Sequence, residues 1–561
     1  MEEQYVIHGP KPATYLEGKT LGHVFYNILL KYIHLPDAVI NVHTKVQLSY
    51  KDVLVDSCRL AQSMQRWGLS PKDVVGICCE NCEQYSLAVL AGLYTGITVA
   101  TLNNNYTEST CPNTFSLINL CDFSGELSGL IELTQPSIIF CSEKTLNKIL
   151  SLKNKFDSIK KVILLNSLND IEDVECLRNF IKKNSDEDFN VKEFQPTSFS
   201  ADENIALIMC SSGTTGFPKA VALSHTNVRI RLIHSQDPQF TEIKPFCSRF
   251  LVLMPMSHGL GQSMILSYFL SGYSVVVMEK FEPEMFLNVM QTYKIAGSLL
   301  VPSLFTFLVK NPLTLRYDLS SLEFLASGGA PLKKELRDAT QKKYPHVKIM
   351  EGYGLTETFS AVILTQPKNS KVGSIGKIGP LVSTKIVDID TGKALGPNEV
   401  GEFCFRGPVV MKYYVNNEKA TNEVIDKYGW FHTGDVGYYD EDYDFYIVDR
   451  MKDLIKYKGF QVSPSELEQI ILEHPKVQDV GIVSVSDDDA GEVPAACVVV
   501  RPGQDVSEKE IKDFVIGKVS YPKYLRGGVY FVDVIPKNSS GKIDRRELKK
   551  TFEEMSMFSK K

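Results

Sequence analysis

No stretch of this 561-residue chain stays apolar for the roughly 20 residues that a membrane-crossing helix needs, so no transmembrane helix is expected. Long blocks of one charge sign are missing too. The 61 Lys and Arg against 67 Asp and Glu leave a formal net charge of −6 spread along the chain, which gives no electrostatic footprint for nucleic acid or for an anionic membrane surface. A small anionic ligand would need a local basic site. The first residues, Met1-Glu2-Glu3-Gln4-Tyr5, lack the apolar segment of a secretory signal, and the chain is expected to stay inside the cell. A disulfide framework is absent: the 12 cysteines sit mostly in apolar runs, as at Cys210, Cys404 and Cys497, which suits reduced, buried thiols. Cys79-x-x-Cys82 has no second pair and reads as structural rather than metal-binding. No internal repeat occurs at solenoid or propeller spacing.

What remains is a chain with 43% hydrophobic residues and length for a large core and more than one domain. From about residue 20 to 345, apolar β-rich runs such as Val74-Val75-Gly76-Ile77-Cys78 and Lys161-Val162-Ile163-Leu164-Leu165 alternate with amphipathic stretches, a rhythm of α/β layers with buried strands. From about 346 to 449 the strands shorten and Gly, Asn and Asp break them, as around Gly401-Glu402-Phe403-Cys404-Phe405-Arg406-Gly407, which predicts a β-rich subdomain. The charged stretch Asp449-Arg450-Met451-Lys452-Asp453 precedes a fresh unit. Within it Ser463-Pro464-Ser465-Glu466 predicts a helix start with Ser463 as N-cap and Glu466 closing a capping box. The expected boundary lies near Lys452, dividing 1–451 from 452–561.

Residues 210–219, "CSSGTTGFPK", follow the apolar run Ile205–Met209 and precede Val221-Ala222-Leu223, so the loop joins strand to strand. A Walker loop would run into a helix with Lys followed by Ser or Thr, and here Ala220 follows Lys219; that nucleotide class is excluded. Glycines that free backbone N–H groups, the hydroxyls of Ser211, Ser212, Thr214 and Thr215, and the Lys219 charge suit a phosphate-binding nest. An exposed turn fits the composition equally well.

Five further motifs follow in order: "SGGAPL" (327–332), "EGYGLTET" (351–358), "WFHTGD" (430–435), "VDRMKDLIKYKGFQVSPSELE" (448–468) and "PKNSSGKIDRREL" (536–548). With "SSGTTGFPKAVALSH" they resemble the signatures of the adenylate-forming superfamily of acyl-CoA synthetases, 4-coumarate-CoA ligases and beetle luciferases, across about 205 to 548. The likeness is greatest to insect luciferases and their luciferase-like acyl-CoA ligase relatives. It implies a large N-terminal domain of two α/β subdomains plus a β-rich, barrel-like subdomain, with a small mobile α+β C-terminal domain.

Physically, a hydroxyl beside a carboxylate at Thr356 and Glu357 suits an α-phosphate contact and a hard-cation ligand for Mg²⁺. The Asp435 carboxylate suits the two ribose hydroxyls of a nucleotide. By resemblance, Ser211, Ser212, Gly213, Thr214, Thr215, Gly216, Lys219, Gly329, Ala330, Tyr353, Gly354, Thr356, Asp435 and Arg450 bind ATP. Tyr353 forms a wall against the adenine, and Asp435 and Arg450 take the ribose side. Lys542 is implied to serve adenylation and, after rotation at the Lys452 hinge, Lys456 to face the adenylate. The reaction implied is attack of a carboxylate on Mg·ATP to give acyl-AMP, then thioester formation with CoA. Retention of Lys456, Asp435, Glu357 and Lys542 weighs against a nucleotide-binding scaffold without activity.

The acid pocket implied by the resemblance holds Arg231, Ser257, Gly259, Leu260, Met264, Ser360 and Ala361, with His258 either near the acyl group and the CoA path, as the family implies, or simply a hydrogen-bonded core histidine. At "MPMSHGLGQSM" (254–264) the chain departs from the beetle luciferase pattern, with Ser257 in place of a His and Leu260 in place of an aromatic residue. A more aliphatic pocket favours an alkyl chain over a flat heteroaromatic acid. The expected substrate is a fatty or other hydrophobic carboxylic acid, the rival a luciferin oxidised with O₂. Three further departures are Ala220 in place of a Gly, an interruption at Ser109 to Ser124, and a C-terminal Ser559-Lys560-Lys561 that only approximates a peroxisomal address. Peroxisome or cytoplasm is the expected location, and a monomer the expected state.

Overall fold

The structure is a computed structural model and describes residues 5–105, 126–211, 219–241, 248–366, 371–458, 460–487, 489–537 and 543–559. Two large sheets carry the N-terminal part. The first has eight strands, and its central members Ile205–Ser211, Thr98–Leu102, Val74–Cys78, Ile138–Cys141 and Lys161–Leu164 run parallel. Val74–Cys78 and Ile138–Cys141 are almost wholly buried, as unbroken apolar runs in a sheet covered on both faces should be. The second sheet has nine strands, with a parallel centre formed by Val39–Asn41, Ser274–Val277, Arg249–Val252, Gly297–Leu300, Phe324–Ser327 and Lys348–Leu355. One continuous core cluster reaches from Leu21 and Phe25 through Tyr85 and Tyr94 to Phe269, Phe403 and Phe445.

Lys348–Leu355 corrects the expected start of the β-rich part. It follows the helix Lys334–Lys343 and lies parallel to Phe324–Ser327, so it closes a crossover unit of the α/β sheet. The antiparallel sheet gathers Ile7–His8, Ser383–Val387, Gly401–Arg406, Phe431–Tyr439 and Phe445–Arg450. Its first strand comes from the opposite end of the chain.

After Arg450 a smaller sheet forms from Ile455–Tyr457, Phe460–Val462, Val477–Asp487, Gly491–Val500 and Val529–Phe531, with helices Pro464–Leu472, Glu508–Ile516 and Arg545–Ser559. Ser463 caps its first helix as expected, accepting from Glu466 N at 3.1 Å. The reciprocal half of the capping box is not made: the Glu466 carboxylate is held by Lys523 Nζ at 2.6 Å, a charged donor that outcompetes a backbone amide. Asp449 ties the two parts together, its Oδ2 accepting from the Ser463 hydroxyl at 2.6 Å and from Ser465 N at 2.9 Å. No described helix is long and apolar enough to cross a membrane.

Candidate active site

Asp435 stands at the junction of the second and third sheets. It lies in Phe431–Tyr439 directly opposite Arg450 in Phe445–Arg450, and Arg450 Nε reaches its Oδ1 at 3.1 Å. From Lys348–Leu355, the Tyr353 hydroxyl donates to Asp435 Oδ2 at 2.7 Å. The carboxylate is only 6% exposed, so both partners are needed to offset its loss of water. Burial, with the Asp435 charge beside it, holds the Tyr353 phenol well above its ordinary range. The Tyr353 ring packs at 5.6 Å from the Phe403 centroid and 6.1 Å from Phe405. Three expected nucleotide residues are thus brought together.

The strands flanking the expected strand-to-strand loop are neighbours: Ile205–Ser211 runs antiparallel to Lys219–Ser224, with Ser211 opposite Lys219. Ala220 pairs with Cys210 and is not among the described residues with positive φ, so alanine imposes no strain at the loop's exit. Ser212, Gly213, Thr214, Thr215 and Gly216 lie outside the described residues, as do Lys542 and the interruption at 109–124. Thr356–Thr358 forms a short 3-10 turn that buries Glu357, whose Oε1 accepts from the Tyr414 hydroxyl at 2.8 Å. Among the described residues nothing donates to Glu357 Oε2. One open carboxylate oxygen fits a cation such as Mg²⁺, which takes one or two carboxylates and completes its shell with water and phosphate oxygens. Gly329, at φ 82°, and Ala330 follow Phe324–Ser327 at the end of a parallel strand, and Gly354 and Thr356 lie at the end of the next. This is the edge where open α/β sheets bind ligands.

Behind Asp435, His432 Nδ1 lies 2.8 Å from Glu402 Oε2 and 3.5 Å from Cys404 Sγ. These three offer donors suited to a metal. Two ligands at ordinary zinc distances on tetrahedral positions would stand ~3.3 Å apart, so the short imidazole–carboxylate separation is a hydrogen bond. That bond to Glu402, aided by the Asp426 charge and opposed by burial, raises the His432 pKa. Glu402 Oε1 accepts from Gly434 N at 2.9 Å, so the pair braces the turn immediately before Asp435. Sequence reasoning missed Glu402 and Tyr414. "WFHTGD" contains His432 but gives no sign of its partner 30 residues away.

The residues expected to line an acid pocket come from three neighbouring elements. Asn81 clamps the 254–256 segment, donating to Met254 O at 3.1 Å and accepting from Met256 N at 2.7 Å, while Ser257 O accepts from the Thr101 hydroxyl at 2.9 Å. His258 is the N-cap of the helix Gly259–Ser271, its Nδ1 accepting from Leu260 N at 3.2 Å, which is the hydrogen-bonded alternative left open for it in the sequence, here in the form of a helix cap. A Cβ built on Gly328 would stand 3.5 Å from Leu260 Cδ1, and one on Gly329 3.9 Å, so Leu260 covers the glycine pair. Gly259 lies against Phe359 and Ser360, and Met264 is buried one turn beyond Leu260. Ser360 and Ala361 begin the strand Ser360–Leu364; Ser360 has φ 114°, a strained backbone of the kind that gathers at functional sites. Arg231, on the helix His225–Gln236, has neither Nε nor Nη1 paired among the described residues, and burial pulls its guanidinium down to about 10.

Lys456 does not join these groups. It is exposed in Ile455–Tyr457, where its backbone N–H donates to Glu492 Oε2 at 2.9 Å. Lys452 is exposed two residues past Arg450. The Cys79 and Cys82 sulfurs are 3.6 Å apart and buried, and every described cysteine is a free thiol.

The model of the AMP-binding enzyme family matches residues 34–415, and that of the AMP-binding enzyme C-terminal domain matches 466–542. The chain is 43% identical over 555 residues to the luciferin 4-monooxygenase of Photuris pensylvanica, covering 99% of each. It is 34% identical over 519 residues to 4-coumarate–CoA ligase 2 of Nicotiana tabacum, covering 91% of this chain and 90% of the ligase. Among solved structures, the natural red-emitting luciferase of Phrixothrix hirtus superposes with a TM-score of 0.75 at 40% identity, over 98% of this chain and 99% of that one.

Proposed function

Since the chain belongs to the AMP-binding enzyme family, we propose that it is an acid–CoA ligase that activates a hydrophobic carboxylic acid, a fatty acid foremost, as its acyl-adenylate. The observation that carries the choice of acid is Leu260 lying over Gly328 and Gly329, in a segment that also buries Met256 and Met264. An aliphatic wall of this kind suits an alkyl chain.

Asp435, fixed by Tyr353 and Arg450, keeps lone pairs to accept the ribose hydroxyls. Ser211, Lys219 and the hydroxyls of the intervening loop hold the β- and γ-phosphates. A carboxylate oxygen of the acid attacks the α-phosphorus, the bond to the β-phosphate breaks, and pyrophosphate leaves. Glu357 would hold Mg²⁺, which supplies neutralising charge to the phosphates. Thr356 and Lys542 attend the α-phosphate, where a positioned cation is worth several kcal/mol as charge builds. The CoA thiolate then attacks the acyl carbonyl carbon and AMP departs. Rotation of 452–561 about Lys452 would bring Lys456, exposed in this arrangement, to the adenylate for that step.

A second reading is favoured by the 43% identity to a luciferin 4-monooxygenase: the same adenylate, formed from a luciferin, would be oxidised by O₂. Incubation with Mg·ATP, CoA and a panel of fatty acids, coumarates and luciferin, with mass detection of acyl-AMP and acyl-CoA, separates the two. Fatty acyl-CoA without sustained light supports the ligase. Sustained light with luciferin and no thioester from any acid overturns it.

A further inference from the structure

No motif assigns a task to Tyr414, yet its side chain touches both Lys219 and Glu357. We propose that Tyr414 is a positioning residue that keeps Glu357 as a metal ligand and Lys219 as a phosphate ligand by preventing the two from pairing; this rests on the adenylation reading above. Tyr414 lies opposite Val221 on a two-residue strand paired with Lys219–Ser224. Its hydroxyl donates to Glu357 Oε1 at 2.8 Å, and Lys219 Nζ stands 4.6 Å from its ring centroid. Tyr414 is 4% exposed and Glu357 7%. Met411 N donates to the Glu357 carbonyl at 2.7 Å, so the 411–414 segment grips both the backbone and the side chain of Glu357.

An ammonium and a carboxylate that share one buried neighbour would attract each other and, if they met, pair and neutralise each other. Among the described residues Lys219 has no carboxylate partner. The Tyr414 ring explains this: its face seats the ammonium by a cation–π contact, while its hydroxyl occupies one carboxylate oxygen and leaves the other with no donor among the described residues.

Two substitutions separate these contacts. Tyr414→Phe keeps the ring and loses the hydroxyl; Tyr414→Leu loses both. The readouts are Mn²⁺ binding by electron paramagnetic resonance with a non-hydrolysable ATP analogue present, and calorimetric affinity for the analogue at saturating Mn²⁺. Removal of a residue that orients a ligand carboxylate typically costs about 10-fold or more in metal affinity, and Tyr414→Phe is expected to show that loss with analogue affinity unchanged. Tyr414→Leu is expected to lose a further about 3- to 10-fold in analogue affinity, the worth of the cation–π seat. Wild-type Mn²⁺ affinity in Tyr414→Phe overturns the inference, and so does an equal loss of both affinities in both variants. If Tyr414→Leu does not fold, Tyr414→Phe alone decides. Wild-type protein that binds neither analogue nor Mn²⁺ overturns the adenylation reading as well, whereas binding of both with Tyr414→Phe unchanged overturns this inference alone.

Discussion

The Tyr353 hydroxyl donates to Asp435 Oδ2 at 2.7 Å, joining the end of a parallel strand in the second sheet to an antiparallel strand of the third. A residue expected only to flank the adenine also aims the carboxylate expected to hold the ribose. Tyr353→Phe keeps the ring and removes that donor. A hydrogen bond to a charged group contributes about 1.5–3 kcal/mol, so the KM for ATP is expected to rise about 10-fold or more with kcat little changed. Initial rates against ATP concentration check this, with Asp435→Asn giving the larger loss.

His432 makes stability depend on pH. Its pKa is raised from 6.5 by the hydrogen bond to Glu402, with Asp426 adding to it and burial and Lys385 opposing it, and Cys404 also faces the ring. A folded value above the unfolded one means that folding favours the imidazolium. The stabilisation is therefore complete below the unfolded value and is lost as pH rises through the raised folded value. Urea unfolding between about pH 6 and 8 is expected to show falling stability in the wild type and a flatter profile in His432→Asn.

Gly354 has no room for a side chain: a Cβ there would collide with the Ser360 carbonyl oxygen, and Ser360 is already strained at φ 114° with Phe359 at φ 52°. Gly354→Ala must displace the backbone at Ser360 and Ala361, two of the residues expected to line the acid pocket. A loss of at least ~2 kcal/mol in urea unfolding is expected, with Thr358, whose hydroxyl bridges Leu355 and Ser360, moving along with it.

Leu260 sets the space over the glycine pair. One methylene of pocket fit is worth about 1–3 kcal/mol, so Leu260→Ala is expected to shift the ratio of kcat/KM for branched or longer acids over short ones by about 10-fold or more. Competition between two acids, resolved by mass, checks the shift.

Much of the fold was legible because its signals are local. The two strands Ile205–Ser211 and Lys219–Ser224 followed from two apolar runs, and the buried strands at Val74 and Lys161 from their unbroken apolar character. Asp435, Arg450 and Tyr353 were marked as candidates by the motifs that carry them, and the structure brings the three side chains together. What stayed hidden depends on pairing across distance. Tyr414 meets Glu357 from 57 residues away, and Glu402 meets His432 because Cys404 and His432 fall opposite one another in register. The half-formed box at Ser463 failed for the same reason, since Lys523 arrives from another part of the chain. The strand Lys348–Leu355 was assigned to the wrong sheet because strand composition does not reveal which neighbour a crossover will choose.

The central claim is carboxylate attack on the α-phosphorus, and the oxygen carries its own record. With an alkanoic acid labelled by ¹⁸O in both carboxylate positions, Mg·ATP and CoA, the bond formed to phosphorus survives when the thiol displaces AMP. The account predicts AMP carrying one ¹⁸O and unlabelled pyrophosphate. ADP with labelled phosphate, or AMP free of label, would contradict it.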